Sequence, residues 1–240
     1  MKREADEITE GIRAYFRQAK FSKGVLGISG GVDSALAAVL SVQALGAKNV
    51  TALLMPEHGL TKPQNMADAA ALAKKLGIRT FTVPINRFLA PYANMPWKES
   101  RLAKANLRSR IRALILYNYA NSNSCLVIGT TNKTEMMLGY FTKYGDGAVD
   151  LELLATLYKC EVRAMARMLG VPDHIVDKTP TAELWRGQTD ELELGMSYDD
   201  ADSILMRLEK GEKLSSRKAE QIKKIMTINA HKSKLPPVIS

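Results

Sequence analysis

Apolar residues at the start of the chain fall on one helical stripe. Ile8, Ile12, Tyr15 and Phe16 recur at three- and four-residue spacing, which predicts an amphipathic helix over residues 2–20. A different pattern follows. The runs VLGIS (25–29), NVTALLMP (49–56), RTFTVPI (79–85) and SCLVIGT (124–130) are short, apolar and β-branched, and predict four strands. Pro84 makes the third an edge strand or marks its end. Residues 33–45, 62–76 and 98–120 predict helices between them. Gly46 and Gly77 stop the first two, and Thr61 is the expected cap of the second.

Strands alternating with helices of a dozen or more residues imply βαβ units. The expected fold class is α/β: a mainly parallel, doubly wound, Rossmann-like sheet. Beyond residue 138 the periodicity weakens. GYFTKYGDGAVD (139–150) reads as a glycine loop, and a helix runs from Lys159 to Leu169. TAELWRGQTDELELG (181–195) is polar and without a period, which predicts a mobile loop. Helices over 199–210 and 215–230 form a C-terminal extension, and the tail HKSKLPPVIS lies extended. One domain over residues 1–240 is the simplest account.

Parallel sheets collect ligands at the carboxyl ends of their strands. GISGGVDS (27–34) follows the first strand, MPEHG (55–59) the second, and IGTTNKTE (128–135) the fourth. Three unusual segments thus converge on one edge. In the first, a glycine-serine turn leads into a helix and presents backbone N–H groups and the positive end of the helix dipole. Gly30 and Gly31 permit close approach of a phosphate, and Ser29 and Ser34 add hydroxyls. The lysine of the common P-loop is missing, and Asp33 stands there instead. Asp33 would repel bare phosphate unless a divalent cation lies between them. Mg²⁺ is held by one or two carboxylates plus phosphate oxygens. Glu135, at the same edge, offers a second carboxylate. The bland alternative is that both acids merely favour helix starts.

Composition narrows the classes without choosing among them. The chain is 46% hydrophobic and 25% charged, ordinary for a globular protein. No run reaches the ~18 apolar residues of a membrane span. The charged N-terminus lacks a signal core, so a cytoplasmic location is expected. Two cysteines, Cys125 and Cys160, exclude a disulfide framework, and with three histidines they argue against structural zinc. A net charge of +9 suits a polyanion or simply a solvated basic surface.

SGGVDS resembles the SGGxDS signature of the N-type ATP pyrophosphatases, whose fold is adenine nucleotide alpha hydrolase-like. IGTTNKTEMMLGYFTKYGDGAVD (128–150) closely resembles the NAD synthetase signature. NLRSRIRA (106–113), PTAEL (180–184), DELELGMSYDD (190–200) and HKSKLPP (231–237) are similar to the same family in order and spacing. The chain is identified as resembling the ammonia-dependent NAD synthetases over nearly its whole length, without a glutaminase domain.

The resemblance implies roles. Gly27, Ile28, Ser29, Gly30, Gly31, Val32, Asp33 and Ser34 would bind ATP, with Asp33 and Glu135 as the Mg²⁺ ligands. Thr130, Lys159 and Thr181 would also contact ATP, and Lys159 could neutralise charge during adenylation. Arg110, Lys143, Asp150, His231 and Lys232 would contact deamido-NAD, and Asp150 is the candidate to take a proton from ammonium. Arg108 stands where the family suggests lysine. The partners implied are deamido-NAD, ATP and ammonia, in a homodimer, with no nucleic acid and no membrane. A tRNA-modifying enzyme of the same superfamily and a non-enzymatic dinucleotide sensor are the rival readings. The first lacks a convincing catalytic cysteine, and Asp33, Glu135 and Lys159 argue against the second.

Overall fold

A computed structural model describes residues 1–234 and 236–239. Five strands, β1 (Lys23–Gly27), β2 (Val50–Leu54), β3 (Arg79–Thr82), β4 (Cys125–Gly129) and β5 (Leu151–Glu152), form one sheet in the order β3-β2-β1-β4-β5. Every pairing is parallel. The helices are α1 (Lys2–Ala19), α2 (Val32–Leu45), α3 (Pro63–Leu76), α4 (Asn86–Leu89), α5 (Arg101–Asn123), α6 (Lys133–Leu138), α7 (Lys159–Met168), α8 (Asp173–Val176), α9 (Asp190–Leu194), α10 (Tyr198–Glu209) and α11 (Arg217–Asn229).

Strand alternation divides the core. Leu26, Ile28, Ala52, Leu54, Leu126 and Ile128 pack with α1, α2, α3 and α7 on one face. Val25, Leu53, Met55, Cys125 and Val127 pack with Ile111 and Ala120 of α5 on the other. Both faces are covered, which is why β2 and β4 are buried at every position and read as unbroken apolar runs. Val32 and residues 34–41 of α2 are all buried, because α2 lies against the sheet and between α1, α3 and α7. β3 is an exposed edge that ends at Thr82, as Pro84 predicts. A third apolar cluster, built on Leu138, Tyr158, Tyr198, Leu205 and Ile222, binds α10 and α11 to α6 and α7.

The structure corrects several expectations. Helix α5 begins at Arg101, where the Ser100 hydroxyl accepts from the Ala103 amide at 3.1 Å. Thr61 does not cap α3: Lys62 takes that place, Pro63 opens the helix, and the Thr61 hydroxyl accepts from the Glu57 amide instead. Helix α6 and strand β5 were not foreseen. The segment 181–195 is packed in its second half, where Gln188, Asp190 and Leu194 are buried and α9 forms. Leu235, within the tail expected to lie extended, is outside the described residues.

Candidate active site

Strand β1 is followed by α2 and its neighbour β4 by α6, so two helix N-termini open side by side at the carboxyl edge of the sheet. Asn132 knits them together. Its side chain caps α6 by accepting from the Glu135 amide at 2.9 Å and donates to Asp33 Oδ1 at 2.8 Å. Its own amide donates to Glu135 Oε2, completing a capping box. Asp33 and Glu135, 102 positions apart in sequence numbering, are thereby brought to one point.

Lys159 enters that point from α7. Its Nζ lies 2.6 Å from Asp33 Oδ2, 3.3 Å from Glu135 Oε1 and 4.7 Å from the centre of the Tyr198 ring, and the residue is 2% exposed. The start of α7 is held in turn: the Lys159 amide donates to the Thr134 hydroxyl, the Cys160 amide to Asp202 Oδ2, and Thr134 to Asp202 Oδ1. Tyr198 brings in a third carboxylate, its hydroxyl lying 3.2 Å from Asp190 Oδ2 and 3.3 Å from Glu135 Oε1. Tyr140 lies 2.6 Å from Glu193 and 3.3 Å from Asp190, and so ties α9 down over the cluster.

Two carboxylates, Asp33 and Glu135, thus meet one ammonium, and Asp190 joins them through the Tyr198 hydroxyl. Burial pushes the Glu135 carboxyl well above the ordinary range; Lys159 opposes that rise, and Asp33 and Asp190 add to it. Burial likewise raises Asp190. Burial alone would lower Lys159, but attraction to Asp33 and Glu135 prevails and holds it firmly charged.

The phosphate loop lies beside this cluster. Gly30 has φ +85°, and a Cβ there would overlap the backbone of Asn65, so glycine is required. The Ser34 hydroxyl donates to the Gly31 carbonyl and accepts from the Ser29 amide, at 3.0 and 3.1 Å. The Ser29 hydroxyl accepts from the Gly31 amide at 3.3 Å. Ser29 and Ser34, with Gly27, Ile28 and Thr130, line a cavity of about 390 Å³ whose floor is apolar, formed by Leu53, Met55 and Leu116. Its size and its mixed lining suit a nucleotide.

A family model described as NAD synthase matches residues 4–236. The chain belongs to the NAD synthase family. An ammonia-dependent NAD synthetase from Archaeoglobus fulgidus is 45% identical over 97% of this chain and 96% of its own length. One from Methanosarcina acetivorans is 44% identical over the same shares. Among solved structures, an NMN synthetase from Francisella tularensis superposes with a TM-score of 0.89 at 36% identity, over 99% of this chain and 98% of that one. An ammonia-dependent NAD synthetase from Campylobacter jejuni gives 0.86 at 30%, over 100% and 99%. These curated relatives are ammonia-dependent, and the activity of this chain is the ATP-dependent amidation of deamido-NAD with ammonia to form NAD.

Of the residues that the NAD synthetase resemblance assigned to deamido-NAD, four gather on one rim. Lys143 Nζ donates to the carbonyls of His231 and Lys234 at 2.7 and 3.2 Å, and the Arg110 guanidinium reaches the Lys143 carbonyl. Lys232 Nζ donates to the carbonyls of Gly139 and Phe141 and lines the cavity. Asp150 stands apart from them: its oxygens take the Val127 amide at 2.7 Å and the Tyr117 hydroxyl at 3.2 Å. Thr181 spends its hydroxyl inside its own loop, donating to the Gln188 carbonyl. Arg108 forms a bidentate pair with Glu57 at 2.5 and 2.9 Å, which suits a planar guanidinium better than an ammonium.

Asn132, Asp190, Tyr198 and Asp146 were missed. Asn132 had a signal, the NKTE capping pattern; Asp190 and Tyr198 lie in DELELGMSYDD, which carries the family resemblance, but no local period aims them at the site. Asp146 lines the cavity and accepts from the Ser109 hydroxyl and the Thr142 amide. Glu152, on β5, accepts from the Thr131 amide, and burial pushes its carboxyl up to about 7. Among the described residues no three metal-ligating side chains form a cluster, and no helix is long and apolar enough to cross a membrane.

Proposed function

We propose that Asp33, Glu135 and Lys159 run the adenylation of deamido-NAD and that Asp33 and Glu135 hold Mg²⁺ together with the phosphates of ATP. The observation that carries this is the pair Asp33 and Glu135 meeting on the Lys159 ammonium beside a phosphate loop. Their oxygens are hard donors, and a hard divalent cation that accepts one or two carboxylates and phosphate oxygens fits them. When bound, the cation offsets charge on the phosphates as the leaving group departs.

The chain's own residues do the rest. Ser29, Ser34 and the loop amides bind the phosphates, and Thr130 and the apolar floor take the nucleoside. Arg110, Lys143 and Lys232 offer cations, and His231 its ring, to the diphosphate of the dinucleotide. An oxygen of the nicotinate carboxylate attacks the α-phosphorus, and the bond to pyrophosphate breaks. Ammonia attacks the acyl carbon, AMP leaves with that oxygen, and the nitrogen loses a proton to give the amide. Lys159 stabilises the charge that develops on phosphorus. No side-chain nucleophile is required. Cys125 is buried in β4, and burial pushes Cys160 up to about 11, so neither thiol is primed for sulfur chemistry on tRNA.

The chain is proposed to work as a homodimer in the cytoplasm, and the exposed Leu114 on α5 supports association through that helix. The deciding experiment supplies deamido-NAD, ATP, Mg²⁺ and ammonium and assays NAD and pyrophosphate. NAD in step with pyrophosphate is expected; pyrophosphate released only on addition of tRNA would overturn the reading. The likeness to the Francisella NMN synthetase favours a second substrate in the same assay, nicotinic acid mononucleotide.

A further inference from the structure

Lys178 lies between α8 and the segment that carries Thr181, and its ammonium reaches back to the phosphate loop. Nζ lies 2.8 Å from the Gly30 carbonyl, 2.7 Å from Asn65 Oδ1 and 2.5 Å from Asp68 Oδ2. Asp68 is buried on α3, and Gln64 also donates to it at 2.7 Å, with His174 Nε2 at 3.3 Å. Burial alone would raise the Asp68 carboxyl, yet Lys178 and Gln64 hold it below the ordinary range.

We propose that Lys178 is a positioning residue that fixes the Gly30–Gly31 peptide in its anion-binding orientation. The argument rests on the reading of SGGVDS as the site of the ATP phosphates. A trans peptide is planar, and its N–H points opposite to its C=O. Holding the Gly30 carbonyl toward Lys178 and α3 therefore aims the Gly31 N–H the other way, where it meets the Ser29 hydroxyl at 3.3 Å. Gly30, at φ +85°, has no Cβ to resist rotation of that peptide. The Ser29 hydroxyl holds that peptide at its N–H end from inside the loop, and Lys178 holds its carbonyl end from outside. Direct contact with phosphate is not its task, because Asp68 and two neutral acceptors already surround the ammonium. Lys178 also begins the stretch leading to Thr181, so the phosphate loop and the covering segment share one anchor.

The test is the affinity for pyrophosphate in the presence of Mg²⁺, measured by calorimetry on the full chain, beside steady-state kinetics. Lys178→Met should bind pyrophosphate at least tenfold more weakly and raise KM for ATP by a similar factor. KM for deamido-NAD and for ammonium should stay within twofold, a split that general loss of stability would not produce. Wild-type affinity in folded Lys178→Met overturns the proposal. If that variant does not fold, Asn65→Ala removes one of the three acceptors with charge unchanged. It should weaken pyrophosphate binding threefold or more, and unchanged affinity again overturns the proposal. Failure of the parent protein to bind pyrophosphate would instead sink the phosphate reading of the loop itself.

Discussion

The ammonium of Lys159 lies 2.6 Å from Asp33 Oδ2 and joins the first turn of α7 to the first turn of α2 across 126 positions of sequence. It is the positive charge that Asp33 and Glu135 share. Its removal should therefore act on folding and on chemistry together. Lys159→Met leaves buried acids unpaired and should cost about 3–5 kcal/mol of stability near neutral pH. Turnover should drop by ~10²–10³ or more. Asp33→Asn keeps the Lys159–Glu135 contact. It should cost only about 1 kcal/mol, with a comparable loss of turnover. Urea melts and initial rates on both variants separate the two effects; equal destabilisation would mean that Asp33 is chiefly a helix-start residue.

Glu135 should release a proton when Mg²⁺ and pyrophosphate bind. Its carboxyl is held above the ordinary range by burial, so it gives up its proton less readily than a free carboxyl, whereas a metal ligand must be ionised. Affinity should then rise with pH until the group ionises unaided. Calorimetry in buffers of different protonation enthalpy measures the proton directly. Glu135→Gln should abolish the release, and a parent protein with no proton release would remove Glu135 from the ligand set.

Glu152 gives a stability prediction independent of ligands. Its folded value is about 7 against the usual 4.5, so its favourable contribution is complete below about 4.5. That contribution is lost as pH rises through 7. The fall should be about 3 kcal/mol over that window. Glu152→Gln can still accept from the Thr131 amide but cannot ionise. Its stability relative to the parent should improve steadily from pH 5 to pH 8, as read by denaturant midpoints.

Asp150→Ala should damage the fold more than the reaction. It deprives the buried Val127 amide of its acceptor, at a cost of about 1–3 kcal/mol. A kcat within a fewfold of the parent is expected at low temperature, where the variant remains folded. A collapse of kcat with unchanged stability would return Asp150 to the reaction as its proton acceptor.

The parts legible in the sequence were those with a long period or an odd composition. The stripe of Ile8, Ile12 and Phe16 gave α1, and the unbroken apolar runs gave β1, β2 and β4. Asp33 and Glu135 could be placed on one edge because parallel topology dictates where strands end. Helix α6 and strand β5 are too short for any period to register. Lys159, Asn132 and Tyr198 meet through tertiary contacts, so their mutual distances had no trace in local pattern. The segment 181–195 looked mobile because it is polar, but its polar residues are its anchors: Asp190 and Glu193 bind the hydroxyls of Tyr140 and Tyr198.

Strand β5 has only two residues, and the rung before it pairs the Asp150 amide with the Val127 carbonyl and the Val127 amide with the Asp150 carboxylate. One half of that rung is a side chain. A side chain rotates about its own bonds, while a strand can let go only by peeling. The glycine segment 139–149 along the cavity is therefore joined to the frame, on its C-terminal side, partly by a side-chain latch rather than wholly by backbone ladder.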